Sequence, residues 1–249
     1  MSEGHASEVQ VLERVVIRFA GDSGDGMQLT GDRFTHDSAT FGNDISTLPN
    51  FPAEIRAPQG TLPGVSSFQV HFANYDIVTP GDRPDVLVAM NPAALKANQK
   101  DVPRGGLLIV DTAEFTRRNL TKVGYEANPL EDGSLTDYHV VALDLTGMAV
   151  ASVKEFGLGR KDAGRSKNMF ALGLLNWLYD RPTEGTEAFL ARSSRRRPTS
   201  AMPTSPPSGL ATPTARPPRS SRSATRWPRP PCSRAPTARS PATWPPPTA

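Results

Sequence analysis

DVLVAMNPAALKANQKDVPRGGLLIVD, residues 85–111, decides the fold. DVLVAM (85–90) and GLLIVD (106–111) are short β-rich runs without polar interruption, the kind buried on both faces of a sheet. Between them PAALKANQKDV (92–102) reads as a helix, with Asn91 as N-cap and Pro92 at the first helical position, where its missing N–H costs nothing. The same alternation extends outward. VVIRFA (15–20) is an apolar run ended by Gly21, and residues 27–38 have helical spacing. Phe68, Val70 and Phe72 alternate with Gln69 and His71 on the opposite face of a further strand. VVALDL (140–145) reads as another strand, and residues 147–156 and 163–179 as helices. Strands alternating with helices imply a three-layer α/β domain with a mostly parallel sheet. Ligands bind such sheets off the carboxyl ends of the strands.

That domain is expected over residues 12–192, after a disordered N-terminus of residues 1–11. From Ser193 onward the composition changes. Residues 193–249 hold ten Arg and fifteen Pro but no Lys, Asp, Glu, Ile, Val, Phe or Tyr. A chain without those apolar residues cannot offset the entropy of ordering, so a disordered Pro/Arg-rich tail is expected. The whole chain has a formal net charge of +3. Without the tail, 18 Lys and Arg face 25 Asp and Glu. The domain is therefore acidic, and neither nucleic acid nor an anionic membrane is expected as its partner. Reading each tail codon one base earlier permits a string with helical and strand-like spacing and mixed charge. A frameshift near Arg192 or Ser193 is expected on that ground, with a genuine Pro/Arg linker as the other reading.

The only cysteine, Cys232, lies in the tail, so the domain offers no thiolate to a metal or cluster. His5, His36, His71 and His139 are scattered. The N-terminus lacks the apolar run of a signal peptide, and the longest apolar stretch, residues 170–178, is too short to span a bilayer. A cytoplasmic location is the resulting expectation.

Two loops stand out. GDSGDGMQLTGD (21–32) follows a strand and opens a helix. Gly21, Gly24 and Gly26 would let backbone amides approach a ligand, and a helix N-terminus favours an anion. The G-x-x-G-x-G spacing is neither a dinucleotide fingerprint nor a P-loop. Asp22 and Asp25 repel a phosphate unless they are paired, so a phosphate cradle and a bare tight turn both remain open. LPNFPAEIRAPQGTLPG (48–64) carries prolines 49, 52, 58 and 63, which exclude a helix and stiffen an extended backbone. Its Glu54 and Arg56 form either an exposed ion pair or, with Arg56 turned to a cleft, the best single anion ligand of the chain. Around residues 165–168, Arg165 and Lys167 read as solvated, and Phe170, Leu174, Trp177 and Leu178 as a core stripe. No Ser-His-Asp set or acid–base carboxylate pair is discernible.

Taken together, GDSGDGMQLTGDRF (21–34), LPNFPAEIRAPQGTLPGVSSFQVHF (48–72), MNPAAL (90–95) and SKNMFALGLLNWLYDRP (166–182) resemble the N-terminal gamma-type domain of the alpha subunit of 2-oxoacid:ferredoxin oxidoreductases. They look most like the 2-oxoglutarate type. The resemblance spans residues 12–192, and its most specific motif is the proline-rich one. It implies oxidative decarboxylation of a 2-oxo acid to acyl-CoA, with electrons passed to ferredoxin. It also implies thiamine diphosphate and a 4Fe-4S cluster held mainly by a beta subunit and by domains absent from this chain. The gamma-type domain is then expected to cover the active site and help bind coenzyme A. Coenzyme A phosphates or pantetheine are expected near Gly21, Asp22, Ser23, Gly24, Asp25, Gly26, Met27 and Arg56. The isolated chain is expected to be inactive, even with beta subunit added. The alternative is a non-catalytic coenzyme A or nucleotide-binding module whose basic tail recruits an acidic partner.

Overall fold

The structure, a computed structural model, describes residues 12–52, 57–154 and 163–195. Strand β1 (Arg14–Asp22) leads into helix α1 (Met27–Phe41), then strands β2 (Asp44–Asn50) and β3 (Val65–Ala73). Strand β4 (Val86–Ala89), helix α2 (Pro92–Asn98), strand β5 (Leu107–Asp111) and helix α3 (Arg117–Lys122) follow. Strand β6 (His139–Leu143) and helices α4 (Leu145–Ser152), α5 (Lys167–Leu178) and α6 (Glu184–Arg195) complete the described chain.

One six-stranded sheet runs in the order β2-β3-β1-β4-β5-β6. The β1–β4, β4–β5 and β5–β6 pairs are parallel. The β2–β3 and β3–β1 pairs are antiparallel. Both faces are covered, which makes three layers. On one, Ile17, Phe19, Val88 and Ile109 pack with Met27 and Phe34 of α1 and with Leu172 and Leu175 of α5. On the other, Ala20, Leu87, Leu108 and Val110 pack with Ala94 and Leu95 of α2 and Leu120 of α3. This double burial is why β4 and β5 lack polar alternation.

The stretch read first folds as expected at its start. Asn91 caps α2, its Oδ1 accepting from the Ala94 amide at 2.8 Å. The helix is shorter than its spacing suggested, tightening after Asn98 into a 3₁₀ turn, Gln99–Asp101. At residues 144–145 the chain has already left β6, because the Asp144 carboxylate accepts from the Gly147 amide at 2.6 Å and starts α4.

Other expectations need correction. Residues 48–50 are not irregular but end edge strand β2, which tolerates Pro49 because it pairs only with β3. Pro63 sits inside one 3₁₀ turn, Leu62–Gly64, rather than excluding helical geometry there. Gln69 and His71 keep the face expected of them, opposite Phe68, Val70 and Phe72, and that face is covered too, at 2% and 6% exposed. The buried side of α5 is Lys167, Asn168, Ala171, Leu172, Leu175 and Asn176. Phe170, Leu174 and Leu178 flank the core and Trp177 is exposed, so the expected stripe is rotated away from the true contact face. Helices α3 and α6 had no clear signal, and α6 runs past the composition break at Ser193 to Arg195. Buried Asp37 anchors α6 to α1 and α5, accepting from Thr186 Oγ1 at 2.8 Å and Asn176 Nδ2 at 3.0 Å. Residues 1–11 and 196–249, the expected disordered ends, lie outside the described residues. No helix among the described residues is long and apolar enough to cross a membrane.

Candidate functional site

The carboxyl ends of β1, β4 and β5 converge on the loop at residues 21–27, where sheet topology places ligand sites. The loop is a closed turn. The Asp25 amide donates to the Asp22 carbonyl at 2.9 Å, and Asp25 Oδ2 accepts from the Asp22 amide at 3.0 Å. Gly26 holds φ 76° and serves as N-cap of α1 without a side-chain cap. Only glycine adopts that angle cheaply, and an added Cβ would stand 2.5 Å from Asn168 Nδ2. Ser23 and Gly24 are exposed. The amides of Ser23, Gly24 and Gly26 meet no acceptor among the described residues. Met27 is different, since its side chain is buried in the core and only its backbone belongs to the loop.

The structure brings the two unusual motifs together. The Gly60 amide, near the end of the proline-rich segment, donates to Asp22 Oδ2 at 2.8 Å. Arg56, the expected anion ligand, and its neighbour Glu54 lie outside the described residues.

Lys167, read as solvated, is in fact 7% exposed and is the electrostatic centre of this edge. Its ammonium lies 3.2 Å from Asp25, 3.4 Å from Glu114 and 3.9 Å from Asp111. Burial by itself would lower its pKa, but Asp25, Glu114 and Asp111 outweigh burial and hold it above the ordinary lysine value. Asp111 is fully enclosed at the end of β5 and accepts from Thr146 Oγ1 at 2.6 Å. Burial pushes its carboxyl up, opposed by the Thr146 bonds and Lys167. Asp22 is also pushed up, by burial first and by Asp25 second, against the Gly60 bond. Three carboxylates, those of Asp25, Asp111 and Glu114, thus share one ammonium. That balance answers the question of pairing for one loop acid: Lys167 neutralises Asp25.

A cleft of about 580 Å³ opens elsewhere, between β2, β3 and the end of α2, and Arg18 on its floor is paired with Asp101 at 2.5 Å. Among the described residues no group of three His, Cys, Asp or Glu side chains could hold a metal ion. Of the site-building groups, Lys167, Asp111, Glu114 and Asn168 escaped the sequence reading. A signal was present: Lys167 and Asn168 lie four residues before Ala171 and Leu172, on the same helical face.

The chain belongs to the pyruvate ferredoxin/flavodoxin oxidoreductase family, whose model matches residues 16–201. Among its relatives, 2-oxoglutarate oxidoreductase subunit KorA of Mycobacterium tuberculosis is 64% identical over 193 residues, covering 78% of this chain and 30% of KorA. Ketoisovalerate oxidoreductase subunit VorA of Methanothermobacter marburgensis is 32% identical over 120 residues, 47% of this chain and 24% of VorA. The chain therefore spans less than a third of the length of either relative. The fold is shared with a solved 2-oxoglutarate:ferredoxin oxidoreductase from Magnetococcus marinus, whose structure holds 2-oxoglutarate, coenzyme A and succinyl-CoA. The TM-score is 0.54 at 24% identity, over 75% of this chain and 28% of that one. The family expected from the four motifs is thus the family found.

Proposed function

We propose that this chain supplies the N-terminal, gamma-type domain of a 2-oxoglutarate:ferredoxin oxidoreductase. The reaction is oxidative decarboxylation: the 2-oxo acid loses carbon dioxide, its acyl group passes to the thiol of coenzyme A, and two electrons pass to ferredoxin. The observation that carries this reading is the 64% identity to KorA across 193 residues. The domain's own part is to cover the active site and help hold coenzyme A. Two features support that part: exposed loop amides at the carboxyl edge of the sheet, and coenzyme A in the Magnetococcus enzyme of the same fold.

The described residues do not fit thiamine diphosphate chemistry or a 4Fe-4S cluster as resident groups. The only cysteine of the sequence is Cys232, and of the loop carboxylates Asp25 is engaged by Lys167 and Asp22 by the Gly60 amide. Both groups belong, in this proposal, to the beta subunit and to the domains that follow in longer relatives. The tail from Ser193 is the shifted-frame remnant of those domains.

The test is to resequence the gene across the codons for Glu187 to Pro203, then express the restored and the present chains, each with a beta subunit. The restored protein is expected to reduce ferredoxin in the presence of both 2-oxoglutarate and coenzyme A, and the present chain is not. Turnover by the present chain overturns the assignment of catalysis to the missing domains. A restored chain that assembles but ignores every 2-oxo acid tested overturns the function.

A further inference from the structure

Helices α1 and α5 both start at the glycine-rich loop and end at the opposite pole of the domain, where the Asn176–Asp37 hydrogen bond holds their last turns together. Two aromatic side chains stand open on those turns. Phe41, the last residue of α1, is 56% exposed, and Trp177, in the last turn of α5, is 40% exposed. After α5 the Arg181 amide returns to the Asn176 carbonyl at 2.7 Å, and Asp180 takes φ 53°, in the left-handed region that favours glycine. A residue held there costs free energy, and such positions concentrate at working sites.

That turn sets the Arg181 guanidinium 4.5 Å from the Phe41 ring and 4.9 Å from the Phe72 ring. The rings fix its position, but among the described residues its side chain makes no hydrogen bond or ion pair. Burial pulls its pKa down, and the Asp180 charge beside it opposes that shift without forming an ion pair. Asp180 itself is exposed. A guanidinium and a carboxylate on adjacent residues, unpaired with each other and next to an open aromatic ring, form a patch that carries its own complement. A twofold axis at Phe41 places the Arg181 of each copy against the Asp180 of the other, so that both charges are paired at once. Aromatic residues and arginine are also the types that anchor protein interfaces. We propose that this pole is a self-association face, on which two copies of the chain meet through reciprocal Arg181–Asp180 ion pairs around apposed Phe41 rings.

The test is sedimentation equilibrium of the 249-residue chain across the micromolar range. The wild type is expected to pass from monomer to dimer, and Asp180→Lys and Arg181→Glu are each expected to weaken the dimer about tenfold or more. An equal mixture of the two variants is expected to recover it, because each copy then offers the charge that the other needs. A wild type that stays monomeric overturns the inference, and so does a mixture of two folded variants that stays monomeric. Association that ignores both substitutions, as contact through the Arg-rich tail would, overturns it as well. Circular dichroism checks the fold. Arg181 packs between rings, so where its variant does not fold the exposed position 180 decides. Wild type, Asp180→Asn and Asp180→Lys are expected to dimerise in falling order, and any other order refutes the pairing.

Discussion

Replacing Lys167 with Met removes the ammonium that Asp25, Glu114 and Asp111 surround while keeping a similar stem volume. The wild-type ammonium has carboxylate oxygens at 3.2, 3.4 and 3.9 Å. At an effective dielectric of about 20 each pair is worth roughly 4–5 kcal/mol in gross Coulomb terms. Most of that is offset by desolvation, and breaking a buried pair from one side costs about 3–5 kcal/mol net. For a domain of this size about 1 kcal/mol moves Tm by about 2–4 °C, so the variant is expected to melt roughly 6–20 °C lower at neutral pH. The pH dependence follows from linkage. The raised pKa of Lys167 contributes stability that is complete below its unfolded value and is lost as pH climbs through the folded one. The raised pKa of Asp111 has the same sign in a lower pH window: stability falls as pH rises from the unfolded value through the folded one. Without Lys167 that acid rises further, so the deficit of the variant shrinks as the medium is acidified and its carboxyls take up protons. Thermal melts followed by circular dichroism between about pH 8 and about pH 5 read both effects. A Tm within about 2 °C of wild type, or a deficit that does not narrow in acid, refutes the electrostatic account.

Gly26→Ala forces a side chain onto φ 76° and against Asn168, and is expected to cost about 1–3 kcal/mol by urea unfolding; a neutral substitution would mean the loop relaxes freely. Asp37→Ala leaves Asn176 and Thr186 without their shared acceptor, at a cost of about 3 kcal/mol. Hydrogen exchange should then show α6 losing protection before β4 does, and equal loss in both would deny Asp37 its role as the anchor of α6.

The sheet was legible where burial is two-sided. Val86–Ala89 and Leu107–Asp111 are wholly buried, and an uninterrupted apolar run has no other common explanation in a chain this polar. Edge strand β2 was not legible, because exposure on an edge removes the alternation that marks a strand and Pro49 argues against one. Helix α6 was hidden for a related reason. Two of its contacts to the body are Thr186 onto Asp37 and Phe189 stacked 4.1 Å from the Arg33 guanidinium, neither of which writes an apolar stripe.

At the site, the backbone was more legible than the side chains. Glycines between a strand and a helix marked the loop, since the demand for positive φ and close approach is local and Gly26 records it directly. The charge balance is not local. Asp25, the pair Asp111 and Glu114, and Lys167 come from three separate stretches of chain, and each alone is an ordinary polar residue beside an apolar run. What distinguishes Lys167 is its helical phase, four residues before Ala171 and eight before Leu175, on the face that α5 turns to the sheet. A charge at such a phase must be paired to be buried. The pairing partners lie where that face meets the loop after β1 and the carboxyl end of β5. Read in that order, the phase of one lysine predicts that a loop acid, Asp25, is engaged.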